Sequence, residues 1–133
     1  MIEIFTPTDL DAIVLVEEHR GLATTSRESM TWLGAQGFAW TSTVDGHVLA
    51  IMCAAPVGAE DCEVFIFPSA TLAKRNPFTL FKDVSAKLAD ARARFKVVRS
   101  ITKPDAPQAN RFLAHLGFVR EGKRGEFLTW VLR

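Results

Sequence analysis

The sequence predicts an α/β fold of the α+β kind: a mixed central sheet with helices on both faces. Three observations carry this. Asp45-Gly46 lies between two apolar-rich runs and predicts an antiparallel hairpin with a two-residue turn. Between Pro77 and Phe95, apolar residues recur every three or four positions, and apolar strand-like runs lie on either side. Strand, long helix, strand makes a crossover unit with parallel strands. Finally, ANRFLAHLGFVREG at 109–122 reads as an apolar-striped helix, with Ala109, Phe112, Leu113 and Leu116 on the stripe. Gly117 closes it in the left-handed conformation and the chain runs directly into a strand.

The remaining elements follow in order. Ile2–Phe5 alternates and predicts a short strand. TPTDLD offers Thr8 or Asp9 as a helix N-cap. Ala12, Ile13, Leu15 and Val16 then carry a helix to about His19, with Gly21 as its stop. Thr25 and Glu28 have capping-box spacing for a second helix starting near Ser26. Met30 and Leu33 form its apolar side, Trp32 is a further candidate, and Gly37 ends it. In the hairpin, setting Val44 opposite His47 puts Ser42 opposite Leu49, Trp40 opposite Ile51 and Phe38 opposite Cys53. That register gathers the large apolar groups on one face. Pro56–Asp61 reads as a loop, and Cys62–Phe67 as a central strand covered on both faces. Ser69–Asn76 reads as a loop, with Asn76 as cap and Pro77 in the first turn of the long helix. Its apolar spine is Phe78, Phe81, Val84, Leu88, Ala91 and Phe95. Val97–Ile101 is the next strand, and Pro104–Gln108 leads into the last helix. Phe118–Glu121 and Phe127–Leu132 close the chain as two strands joined by Gly122–Gly125. The order is β-α-α-β-β-β-α-β-α-β-β.

Composition bounds the function. A length of 133 residues predicts a single domain over 1–133, and 48% hydrophobic residues suffice for a real core. No apolar run approaches the roughly 20 residues that span a bilayer, so no membrane partner is expected. The opening MIEIFTPTDL lacks the basic start and apolar core of a signal peptide, which makes a cytoplasmic location the expectation. A formal charge of +1 argues against a nucleic-acid partner. Cys53 and Cys62 have no Cys or His at metal-ligand spacing, so they read as reduced, partly buried thiols and no metal is expected. No G-x-S-x-G is present to support a hydrolase triad. The chain has ten phenylalanines and no tyrosine, which removes a phenolic acid from any mechanism.

The element order, the IFTPTDLDAI segment at 4–13, the Asp45-Gly46 hairpin and the ANRFLAHLGFVREG run together resemble the GNAT superfamily of N-acetyltransferases. The resemblance covers nearly the whole chain. It implies acetyl-CoA as the acyl donor and an amine, on a small molecule or a protein, as the acceptor. Family members usually carry R/Q-x-x-G-x-G/A before the long helix, where glycines let the backbone approach the pyrophosphate. The matching loop here, FPSATLAKRNP at 67–77, has no glycine but keeps a helix start and two cations. The resemblance therefore places the cofactor contacts at Lys74, Arg75, Asn76, Phe78 and Thr79. Many members use a tyrosine to protonate the departing thiolate, and Leu113 stands at that position. His115 points to another side of the same helix and reads as a surface residue. Glu63, at the start of the central strand behind Glu60 and Asp61, is the candidate base for the amine. Lys74-Arg75 and Lys123-Arg124 are each readable as a phosphate rim or as solvated loop charges. The short chain, the glycine-free loop and the missing tyrosine also resemble small acetyltransferase-like proteins of short-tailed bacteriophages. That likeness implies a catalytically silent role in virion structure or assembly, with a phage protein partner and a location in the host cytoplasm or the virion. Phe127–Leu132 is apolar enough to support a homodimer.

Overall fold

The computed structural model describes residues 1–15, 19 and 27–132. One seven-stranded sheet runs through it. Its strands are β1 (Ile2–Ile4), β2 (Ala39–Val44), β3 (His47–Pro56), β4 (Asp61–Pro68), β5 (Val97–Thr102), β6 (Val119–Arg124) and β7 (Phe127–Leu132). The order across the sheet is β1-β2-β3-β4-β5-β7-β6. Among the described residues, only β4 and β5 pair in parallel, joined by the predicted crossover, and the other pairs are antiparallel. The helices bounded within the described residues are α1 (Pro7–Ala12), α2 (Arg27–Ala35), α3 (Leu72–Arg75), α4 (Pro77–Arg94) and α5 (Pro107–His115). Two buried clusters lie on opposite faces. One joins the sheet to α4 and α5 through Leu49, Val64, Leu80, Val84, Leu88, Val98, Leu113 and Trp130. The other joins it to α2 and the 13–15 segment through Ile13, Leu15, Met30, Leu33, Ile51 and Phe67. The mixed sheet with helices on both faces is thus the fold that the residue pattern predicts.

Several local expectations need correction. The first helix starts earlier, with Thr6 as its N-cap rather than Thr8 or Asp9. Asp9 Oδ2 accepts from the Thr6 amide at 2.9 Å and from Thr41 Oγ1 at 2.7 Å, so one carboxylate ties the helix start to β2. That helix stops at Ala12, not near His19. Ile13 is extended (φ −91°, ψ 138°), and Ile13 and Leu15 are buried while Val14 is exposed. The run I-V-L therefore follows the two-residue alternation of an extended segment, and Val14 C=O accepts from the Ala70 amide. The expected stop at Gly21 and the Thr25–Ser26 start of the second helix lie outside the described residues.

The β2–β3 hairpin turns at Asp45-Gly46, both with positive φ, and Val44 does pair with His47. Beyond Thr43↔Val48 the register shifts by one, so Ser42 faces Ala50, Thr41 faces Ile51 and Trp40 faces Met52. Leu49 is the extra residue of a bulge. It joins Ala50 in the cluster beneath α4, while Val48 and Ile51 join the opposite one. The bulge is tolerated because β3 is covered on both faces, so an extra apolar side chain has a core to enter either way.

The 69–76 stretch contains a short helix, α3, where a loop was expected. Ser69 is buried, and its Oγ accepts from the Leu72 amide at 3.1 Å, while Leu72 and Ala73 pack against the core under α4. Without glycine, TLAKRN has no residue that favours an open loop over a helical turn. Asn76 precedes α4 but does not cap it by its side chain; its Nδ2 donates back to Leu72 C=O at 3.0 Å. The spine of α4 begins at Leu80, with Phe78 and Phe81 exposed at 79% and 39%. The last turn falls at Gly125 (φ 62°), because β6 continues to Arg124.

Cys53 and Cys62 are buried, and desolvation pushes their thiols up to about 12 and about 11. Their folded pKa values exceed those of the unfolded chain, so the stability they contribute is complete below about pH 8.5 and declines as pH rises toward 11–12. Urea midpoints should fall between pH 8 and pH 10, and the Cys53→Ala, Cys62→Ala double variant should flatten that fall. An equal slope in the variant would show that the thiols do not contribute.

Candidate active site

The site is set by where the parallel pair separates. β4 and β5 pair at Asp61↔Val97, Cys62↔Val98 and Glu63↔Arg99, and no further. Yet β4 continues to Pro68 and β5 to Thr102. Ser100, 5% exposed, donates its Oγ–H to Val64 C=O at 2.8 Å, giving that carbonyl a partner just where the ladder ends. The two strands therefore part toward their carboxyl ends, the general location of ligand sites in open sheets.

Above this separation stand α3 and the start of α4. Lys74 and Arg75 are exposed in the last turn of α3. The Asn76 amide is committed to Leu72 C=O, and Pro77 has no N–H. The first-turn amides without an intrahelical acceptor are then those of Phe78 and Thr79. These two amides and the two cations fit a pyrophosphate at a helix start. A wrapped glycine cradle is not formed, since every residue from Phe67 to Pro77 carries a Cβ.

On the α2 side, the face of β4, β5 and β6 carries linked charges. Asp61 and Glu63 share this face, being two apart on β4. Arg99 Nη1 meets Asp61 at 2.9 Å, and its Nε meets Glu121 at 3.1 Å. Hydrogen bonds from Arg99 to Glu121, and then to Asp61, raise the already high guanidinium pKa. Glu63 Oε1 takes a different partner, Arg124 Nη2, at 2.8 Å. The Glu63 side chain is 15% exposed and that of Arg124 59%. Glu63 thus sits on the last paired rung of the parallel strands, where the separation begins.

At the other lip, Thr102 Oγ1 accepts from Trp130 Nε1 at 2.8 Å and donates to Asn110 Oδ1, fixing α5 to the end of β5. Leu113 is 4% exposed and lies in the core cluster with Val64 and Val98. His115 is exposed, as its side of the helix predicts. Among the described residues, no cluster of His, Cys, Asp or Glu could hold a metal ion. No helix of the described residues is long and apolar enough to cross a membrane.

Glu63 lies on the last paired rung of the parallel strands, and Lys74, Arg75, Asn76, Phe78 and Thr79 fall at the junction of α3 and α4. The structure adds Arg99 and Glu121, which the residue pattern does not single out, and it pairs Arg124, readable from the pattern as a phosphate rim or a solvated loop charge, with Glu63. Their partners lie 22 to 61 positions away in sequence, and local spacing carries no signal at that range.

No protein-family model matches the chain, and no curated protein matches it in sequence. Solved structures match its fold over nearly the full length of both chains. A GNAT-family acetyltransferase from Bacillus cereus superposes with a TM-score of 0.70 at 14% identity, covering 100% of this chain and 96% of that one. The yncA protein of Salmonella typhimurium, solved with its cofactor acetyl-CoA, gives 0.71 at 14% identity, with coverage of 100% and 92%. The PaiA N-acetyltransferase of Thermoplasma acidophilum, in complex with coenzyme A, gives 0.72 at 12% identity, covering 100% and 98%. The fold is therefore that of GNAT acetyltransferases. These neighbours lend no support to the likeness with phage proteins.

Leu113 is a core residue by its surroundings. Leu113→Ala should cost about 2–5 kcal/mol in urea unfolding, as for other buried leucines. A loss below about 1 kcal/mol would mean that the side chain faces open space and not the packed cluster.

Proposed function

We propose that this protein transfers an acyl group from a coenzyme A thioester, acetyl-CoA in the first instance, to a primary amine. The observation that carries the reading is the separation of β4 and β5 beyond Glu63 and Arg99 beneath the start of α4. A slot between two parallel strands admits an extended thioester arm, while the helix start receives its phosphates.

The residues divide the work by chemistry. Lys74 and Arg75, with the amides of Phe78 and Thr79, meet the pyrophosphate. Asn76 holds the junction between α3 and α4 through Leu72 C=O. The acceptor arrives as an ammonium ion, and Glu63 takes its first proton to leave the free amine. The nitrogen forms its bond to the acyl carbon as the carbon–sulfur bond breaks. The second proton of the amine goes to the departing thiolate, so no tyrosine is required. The acyl donor supplies the activated carbonyl; the chain supplies placement and the base.

Calorimetric titration with acetyl-CoA tests the cofactor half. Binding should be seen, and the Lys74→Ala, Arg75→Ala double variant should weaken it about ten-fold, the loss expected for charge-assisted contacts. Absence of binding at millimolar acetyl-CoA would leave this chain a GNAT-fold scaffold without the activity. For the base, Glu63→Gln should lower turnover by about 10²–10⁴ with acetyl-CoA affinity unchanged. A variant that retained full turnover would remove Glu63 from the mechanism.

A further inference from the structure

Glu63 is covered by a residue from far away. Arg124 pairs with Phe127 at the tip of the β6–β7 hairpin, next to the Leu128↔Thr102 rung at the upper end of β5. Glu63 pairs with Arg99, three residues earlier on β5. β7 and β5 both lie between β6 and β4 in the sheet. The Arg124 guanidinium therefore reaches back across two strands to meet Glu63 Oε1 at 2.8 Å, 61 positions away in sequence. Nearer charges on this face are otherwise engaged: Arg99 holds Asp61 and Glu121. Exposure is asymmetric, since the carboxylate is largely covered while the guanidinium above it is mostly in solvent. Arg124 borders Gly125 at the turn, and a long exposed side chain there can swing without disturbing the sheet.

We propose that Glu63 is the binding point for the acceptor's primary ammonium group, and that Arg124 is the chain's own cation holding that point until the acceptor displaces it. This rests on the acyl-transfer reading for its biological meaning, although the cation site itself does not depend on turnover. The exchange is one cation for another on a single carboxylate, so it favours acceptors that arrive protonated: primary alkylammonium groups, such as a lysine side chain or a polyamine. An uncharged amine or an aryl amine lacks the charge needed to compete with the guanidinium. Arg124 thereby acts as a specificity-determining residue, selecting for acceptors that carry their own positive charge.

The test uses n-butylammonium as probe and protein labelled with carboxyl-¹³C glutamate, with Glu63→Gln assigning the Glu63 resonance. In Arg124→Gln, the Glu63 signal should titrate with butylammonium about five-fold more tightly than in the wild type, because the competent site is no longer shared. Arg124→Lys, which keeps a cation of similar reach, should stay close to the wild type. Methylguanidinium added to Arg124→Gln should compete with butylammonium for Glu63. Equal affinity in wild type and Arg124→Gln, or no Glu63 response in either, would overturn the proposal. Thiol release from acetyl-CoA with butylamine as acceptor separates this from the activity. With turnover present, Arg124→Gln should lower the KM for the amine about five-fold and leave kcat within about two-fold. Tighter ammonium binding without any thiol release would keep the cation site and reject acyl transfer. Turnover with an unchanged KM would keep acyl transfer and reject the role of Arg124.

Discussion

The separation of one parallel strand pair is the constraint on which the site depends. Two parallel strands that stop pairing expose backbone groups that need partners. Ser100 supplies one by donating to Val64 C=O, and the strands can then stay apart without a buried orphan carbonyl. The residues of the proposed site are arranged around that separation. Glu63 and Arg99 mark its apex, α3 and α4 stand over its mouth, and Thr102, Asn110 and Trp130 pin the helix on its far side. One more rung of the ladder would claim the Val64 carbonyl that Ser100 now satisfies, so the buried serine and the strand separation go together.

The bulge at Leu49 is a second consequence of the same economy of space. β3 is buried on both faces, between the α4 cluster and the α2 cluster. Inserting Leu49 places two neighbouring residues, Leu49 and Ala50, on the α4 side and increases local twist. Thr41, paired with Ile51 just past the bulge, then meets Asp9 at 2.7 Å, and the first helix is fastened to the sheet by a single carboxylate. Register, helix docking and core volume are set together here, which is why a hairpin register extrapolated from the turn alone runs out after two pairs.

The residue pattern makes the architecture legible because its signals are local. The Asp45-Gly46 turn, the buried Val84, Leu88 and Ala91 of the long helix and the Gly117 stop each act within a few residues, and each is found where expected. The pattern misleads where two periods compete. Ala12, Ile13, Leu15 and Val16 suit a helix by composition, yet Ile13 and Leu15 turn inward on either side of an exposed Val14, a strand-like alternation. It misleads again at 69–76, read as a loop before Asn76-Pro77, where the absence of glycine favours a turn of helix. The place of Glu63 in the central strand is readable from the residue pattern. Its partner is not, since Arg124 arrives through the sheet order and the hairpin reach, neither of which is written in local spacing.

The absence of a phenolic acid fits the energetics of the proposed step better than it first suggests. A thiol has a pKa near 8.5 and an alkylammonium one near 10.4, so a thiolate is the more stable departing base by about two pKa units. Once nitrogen has added to the acyl carbon, expulsion of sulfur needs little help from an acid. The difficult requirement lies earlier: the acceptor arrives protonated and cannot attack until it loses a proton. In the proposed reaction, catalytic demand therefore falls on the base and on the placement of the amine, both assigned to Glu63, and not on the position of Leu113. A buried leucine there costs the reaction little and contributes to the core. A carboxylate that must hold an ammonium ion and then take its proton is better served by a site from which the resident cation can depart, and Arg124, at an exposed hairpin tip, is placed to leave.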